Sequence, residues 1–140
     1  MIAGALALGK AMQQSGLASL IGETLIFAVG NRPYLLLTSA FTLTAILSAL
    51  VGAKAGALLV LPIMMSASQQ LQISFVPLIF ITMLAASMTV ATPIGYPTNL
   101  MVFGPGGYRF TDYLRLGIPL TLIIGVLGVV LTPLIWPFTP

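Results

Sequence analysis

The stretch Ala91-Thr92-Pro93-Ile94-Gly95-Tyr96-Pro97-Thr98-Asn99 decides how the rest of the chain is read. Pro93 and Pro97 each remove a backbone donor, and Gly95 loosens the chain between them, so this segment cannot be continuous helix. Yet an uncharged run from Ile73 to Ala91 precedes it, and the apolar pattern returns at Leu100-Met101-Val102-Phe103. The simplest structure is one membrane helix over 73–103 with an unwound middle. Unwound backbone at membrane depth must be buried in protein or line a wet cavity, because lipid offers no hydrogen bonds.

The membrane itself follows from composition. The chain is 59% hydrophobic and 5% charged, with a mean hydropathy of +1.13. Water-soluble domains carry about 25% charged residues. Five basic and two acidic side chains cannot cover the surface of such a domain at 140 residues. Lys10, Arg32, Lys54, Arg109 and Arg115 are scattered and form no basic stripe, so nucleic-acid binding is not supported. Cysteine and histidine are absent. That excludes disulfides, thiolate metal sites, and histidine-based general-base, triad or zinc chemistry within this chain. The sequence reads as a non-enzyme with no cofactor. No signal peptide stands out: residues 1–12 are apolar but lack a basic n-region, and Lys10 interrupts them.

Outward from the break, the chain reads as one membrane domain over 1–140. Residues 1–16 look like the end of a helix already in progress at Met1, closed by Gly16. Residues 17–29 carry Leu17, Leu20, Ile21, Leu25 and Ala28 at helical spacing, which predicts an amphipathic arm lying at the interface. Gly30-Asn31-Arg32-Pro33 is a turn. Residues 33–70 form two apolar arms around Leu50-Val51-Gly52-Ala53-Lys54-Ala55-Gly56. One long helix bearing a lysine is one reading. A re-entrant hairpin with its tip at membrane depth is the other, favoured because the second arm is too short to span. After the broken helix, Gly104-Pro105-Gly106-Gly107 is an exit loop and Thr111-Asp112 a helix cap. A last span covers 112–136, anchored by Trp136 at the interface. Arg109, Asp112 and Arg115 mark its cytoplasmic end and would put the C-terminus outside.

Two breaks, near 51–56 and 91–99, expose carbonyls that suit small cations and helix N-termini that suit anions. Thr92, Thr98 and Asn99 add neutral oxygen and amide groups, which bind ions without a charge that is costly in lipid. Plainer readings stand beside these. Pro77, Pro119 and Pro133 can be simple kinks, Glu23 a solvated residue, and Lys54 a side chain that snorkels to the interface. Otherwise an intramembrane lysine is a functional candidate.

Residues 91–110, from Ala91-Thr92-Pro93-Ile94-Gly95-Tyr96 to Gly104-Pro105-Gly106-Gly107-Tyr108-Arg109-Phe110, resemble the closing signature of the divalent anion/sodium symporter family. The likeness is to its bacterial permease branch with citrate-transporter-like domains. Asp112-Tyr113-Leu114-Arg115-Leu116-Gly117-Ile118-Pro119-Leu120 and Ala5-Leu6-Ala7-Leu8-Gly9-Lys10-Ala11-Met12 extend the match. The resemblance implies an all-α membrane fold built from inverted repeats, of which this chain is the later part of the second. It would supply the arm, a re-entrant hairpin, a broken helix and a final span. The implied substrate lies between two hairpin tips, and one sodium site lies at this tip and the break near Ala91–Pro93. The tip departs from the family pattern. Ser-Asn-Thr or Ser-Asn-Asn would stand where this chain has Gly52, Ala53 and Lys54, counted back from Leu61-Pro62-Ile63. An ammonium would repel sodium, since like charges ~4 Å apart interact by about 4 kcal/mol at an effective dielectric near 20. Lys54 would then replace the sodium or pair with an anionic substrate.

The expected function is the C-terminal half of a secondary transporter in the inner (plasma) membrane. It would move a small di- or oxyanion, such as a dicarboxylate or sulfate, with sodium, proton or exchange coupling. Candidate binding residues are Gly52, Ala53, Lys54, Ala91, Thr92, Pro93, Thr98 and Asn99. Expected partners are lipid, the anion, the first repeat (missing here or on a second chain), and a second copy in a homodimer. The alternative is a non-transporting fragment or subunit that assembles with a full-length relative.

Overall fold

The computed structural model describes residues 2–139 and, among them, is all-helical: α1 (Ile2–Gln14), α2 (Leu17–Val29), α3 (Pro33–Val51), α4 (Ala53–Leu71), α5 (Val76–Ser87), α6 (Pro97–Phe103) and α7 (Phe110–Ile135). Two helices are long and apolar enough to cross a membrane, α3 with 19 residues and α7 with 26. At 1.5 Å per residue they reach ~28 and ~39 Å, against a hydrocarbon core of ~30 Å.

The α3–α4 pair is the centre of the fold. The chain reverses at Gly52 alone, whose φ of 104° and ψ of 155° belong to glycine. Gly52 N–H donates to the Ser48 carbonyl at 2.9 Å and closes α3. Gly56 N–H donates to the Gly52 carbonyl at 2.9 Å and opens α4. The expected unwound stretch over 51–56 is therefore one residue, because helical bonding resumes at once on both sides. Ala53 and Lys54 are the first residues of α4. Just beyond the reversal the helices touch backbone to backbone. A Cβ added at Gly56 would meet Ser48 Oγ and lie 2.7 Å from Ser48 N.

The remaining elements lean on this pair. Leu36, Leu37, Ala40 and Phe41 of α3, Val60, Ile63, Met64 and Ala67 of α4, and Leu78, Ile81 and Ala85 of α5 form one buried cluster, joined by Ala18 of α2. α1 and α2 both lie along α4. Pro62 inside α4 cannot donate to the Leu58 carbonyl, and Gly9 of α1 packs there, where a Cβ would sit 3.4 Å from that oxygen. The α7 helix crosses α5 and α3, with Gly125 against Phe41 and Gly128 against Leu84. Its outer face, including Leu116, Leu122, Ile123, Val126 and Leu134, is exposed and apolar.

Hydroxyls on these apolar helices bond to their own helix. Thr44 donates to the Ala40 carbonyl and Thr82 to the Leu78 carbonyl, each at 2.7 Å. Ser48 is fully buried and its Oγ has no partner among the described residues. The expected cap at Thr111 moves by two residues. α7 starts at Phe110, and Asp112, at the third helical position, reaches back to accept the Arg109 N–H at 2.8 Å.

Gly56→Ala is expected to push α3 and α4 apart and to destabilise the detergent-solubilised protein by about 1–3 kcal/mol, the usual cost of overpacking. Gly4→Ala in α1, where a Cβ meets nothing within 4 Å, should leave thermal unfolding nearly unchanged. Equal melting of the two variants would refute the close-approach argument.

Candidate functional site

The α5 helix ends at Ser87 and helix resumes at Pro97, so residues 88–96 are extended or turned backbone between two helical pieces. Pro97 takes the first position of α6, where a missing donor costs nothing. Tyr96, as the residue before a proline, is held extended at φ −141° and ψ 135°.

The break is sewn to the hairpin tip by side-chain bonds. Thr92 Oγ1 donates to the Ala49 carbonyl at 2.9 Å, across 43 residues of sequence. The same oxygen accepts the Gly95 N–H at 3.3 Å. One hydroxyl thus satisfies a carbonyl at the end of α3 and an amide inside the break. Asn99 Nδ2 donates to the Thr89 carbonyl at 3.0 Å and the Thr92 carbonyl at 3.3 Å, folding the break back on α6. Tyr113 Oη on α7 donates to the Asn99 carbonyl at 3.0 Å. Gly95 is wedged in: an added Cβ would lie 2.9 Å from Thr89 Cβ and 3.3 Å from the Ser48 carbonyl. On the far side α7 presses on Ala91, where a Cβ at Gly117 would meet Ala91 Cα and lie 2.6 Å from Ala91 N.

Two of the cavities at this junction are lined by Lys54. One of about 450 Å³ lies between the tip, α5 and the break, lined by Lys54, Ala57, Met83, Thr89, Tyr96 and Asn99 among others. One of about 770 Å³ runs along Val51, Gly52, Lys54, Gly95, Tyr96 and Pro97 toward α1. Ala53, Lys54 and Tyr96 line both. Lys54 is exposed, as is half of Tyr96. No carboxylate lines either cavity among the described residues.

The structure brings most of the sequence-named residues together. Gly52, Ala53 and Lys54 form the tip, and Thr92 and Asn99 tie the break to it. Pro93 is buried beside them, and Ala91 is packed under α7. Thr98 is placed apart. It is exposed on α6 and lines another cavity of about 380 Å³ with Asn99, Val102, Tyr108, Asp112 and Tyr113. Sequence reasoning passed over Ser48, Tyr96 and Tyr113. Ser48 had a usable signal, one helical turn before Gly52. Tyr96 stood inside the quoted motif, masked by the prolines around it.

A family model described as citrate transporter matches residues 1–139. The chain belongs to the citrate transporter family. Membership makes it a membrane protein of a transporter family. Among its relatives, an uncharacterized transporter of Synechocystis is 39% identical over 141 residues, covering 100% of this chain and 23% of that protein. An uncharacterized transporter of Escherichia coli is 32% identical over 139 residues, covering 99% of this chain and 23% of its own length. A Chlamydomonas reinhardtii protein named "Probable sodium/sulfate cotransporter 3" is 29% identical over 131 residues, covering 91% of this chain and 14% of that protein. The chain thus spans less than a quarter of the length of these citrate-transporter-family relatives.

Thr92→Val, nearly isosteric, removes both bonds of the Thr92 hydroxyl and leaves the Ala49 carbonyl and Gly95 amide unpaired. The expected cost is about 1–3 kcal/mol per stranded group, with faster hydrogen exchange at the Gly95 amide. Thr92→Ser should restore most of both; failure of the serine to rescue would argue against the hydroxyl bridge.

Proposed function

We propose that this chain supplies the anion-binding tip and helix break of a secondary transporter for a small di- or oxyanion, in the inner (plasma) membrane. The α3–α4 pair acts as a re-entrant hairpin. α5, the break and α6 act as one discontinuous membrane helix, and α7 is a span whose outer apolar face meets lipid. The first repeat, on further sequence or a second chain, closes the cavities from the other side. A partner relative of full length is the occupant of that place in the assembly-only reading.

The observation that carries the proposal is the placement of Lys54. Lys54 lines two cavities, with no carboxylate in either among the described residues. It is also at the N-terminal end of α4, whose unpaired amides carry partial positive charge. Both fields favour an anion. Of the two roles open to Lys54, direct pairing with the substrate has the better support. Lys54 lines the cavities, whereas the nearby oxygens suited to a cation, Ser48 Oγ and the Ala49 carbonyl, belong to the end of α3, the former buried and the latter already accepting from Thr92. A fixed ammonium then supplies the positive charge that a coupling ion would otherwise bring at this tip. Coupling here is by exchange or by protons. The word sulfate in the Chlamydomonas relative's name and the citrate of the family model are both consistent with an oxygen-rich anion.

Replacing Lys54 with Asn restores a neutral amide at the tip. Uptake of labelled sulfate and succinate, with and without sodium, is expected to fall about tenfold or more in the variant, the scale of losing one good charge pair. Residual uptake should become more dependent on sodium. Unchanged uptake and unchanged sodium dependence would sink the proposal, and copurification of a full-length relative with no uptake at all would favour the assembly-only reading.

A further inference from the structure

We propose that Tyr96 is a specificity-determining residue of this site, its phenol donating a hydrogen bond to an anion oxygen that Lys54 does not hold. The inference rests on the reading of Lys54 given above and adds a second contact, with a selection rule. Tyr96 and Lys54 come from different elements and line the same two cavities. The backbone of Tyr96 has little freedom. Pro97 holds it extended, Gly95 before it is wedged between Thr89 and Ser48, and its carbonyl accepts the Asn99 and Leu100 amides at 3.1 and 3.3 Å.

The side chain is placed differently from the other tyrosines. Tyr113 uses its hydroxyl on the Asn99 carbonyl. Tyr108 stacks edge-on against Tyr113, and Tyr34 against Phe138. Tyr96 is 49% exposed and lines both cavities. A phenol on a rigid backbone, lining with a lysine two cavities that have no carboxylate among the described residues, is a donor suited to oxygen acceptors. Carboxylate and sulfate share that chemistry, with oxygens enough to take the ammonium on one side and the phenol on another. A halide offers a single centre and gains far less from the second donor.

The test uses the whole chain in lipid nanodiscs and equilibrium binding of labelled sulfate and labelled succinate. Tyr96→Phe is expected to weaken binding of one or both about tenfold, the scale of a hydrogen bond to a charged acceptor, with helical content and melting temperature unchanged. The anion that loses affinity is the one the phenol holds. Chloride competition should strengthen relative to the oxyanion in the same variant. Equal affinity of Tyr96→Phe and the unsubstituted chain for both anions overturns the assignment of Tyr96 alone. A loss of affinity that tracks a drop in melting temperature overturns it as well, since the role is then structural. Absence of sulfate and succinate binding by the unsubstituted chain overturns this inference together with the anion-site reading, whereas binding that Lys54→Met abolishes and Tyr96→Phe leaves intact spares the latter.

Discussion

Backbone that leaves helical geometry away from water must find partners for the carbonyls and amides it releases. In this chain that constraint falls on two places at once, the end of α3 and the break after α5, and a single hydroxyl answers both. Thr92 donates to the Ala49 carbonyl and accepts the Gly95 amide. Asn99 then gathers the Thr89 and Thr92 carbonyls. The break is thereby irregular without being loose, and its position relative to the tip is fixed by bonds rather than by apolar packing alone. Everything proposed for the site depends on that fixed relation, since Lys54 comes from one element and Tyr96 from the other.

Small residues make the relation possible. Gly56 lets the arms of the hairpin touch immediately after the reversal at Gly52, Gly95 lets the break slide in beside Ser48, and Gly117 lets α7 lie directly on Ala91. None of these contacts tolerates a Cβ without something moving. The consequence is a junction where backbones from α3, α4, the break and α7 approach closely, and where the side chains of Thr92 and Asn99 are committed to holding them. The exposed cation at the edge of that junction is not among those commitments.

Much of this was legible from residue types. Proline and glycine at 93, 95 and 97 gave the break because their effect on a helix is local and does not wait on tertiary structure. The reversal was read from the shortness of the second apolar arm rather than from Gly52 itself, and its extent was overread: alanine and lysine are good helix formers, so helix resumes at Ala53 rather than after Gly56. Helix ends fixed by side-chain reach were harder, as the shift of the α7 start from Thr111 to Arg109 and Phe110 illustrates. Least legible were contacts that exist only in three dimensions. Nothing in the sequence near Ala49 points to Thr92, and nothing near Tyr96 points to Lys54, because the pairing comes from how the hairpin and the break dock. Thr98 shows the same limit from the other side: it lines the cavity of about 380 Å³ together with Asn99, but only Asn99 also reaches the cavity at the tip, neighbouring helical residues pointing about 100° apart.

Lys54 is, for stability, at the wrong end of its helix. Cations are favoured near C-termini and disfavoured near N-termini by roughly 0.3–1 kcal/mol in exposed positions, and Lys54 occupies the first turn of α4. No acidic side chain lines the cavities to offset it among the described residues. The anion proposed above would give this residue a partner that arrives from outside. Such a partner has to be negative, has to fit where two cavities of about 450 and 770 Å³ adjoin, and gains from the ammonium and the helix end together. A mobile coupling ion at the same tip would have to supply that positive field anew in each cycle and be released with the substrate. On the reading proposed for Lys54, a lysine would carry it permanently, so the charge that favours anion entry would also oppose anion exit, and release would come from movement of the hairpin relative to the opposing half rather than from loss of a bound cation. That proposed role would shift the burden of a transport cycle from ion binding to conformational change.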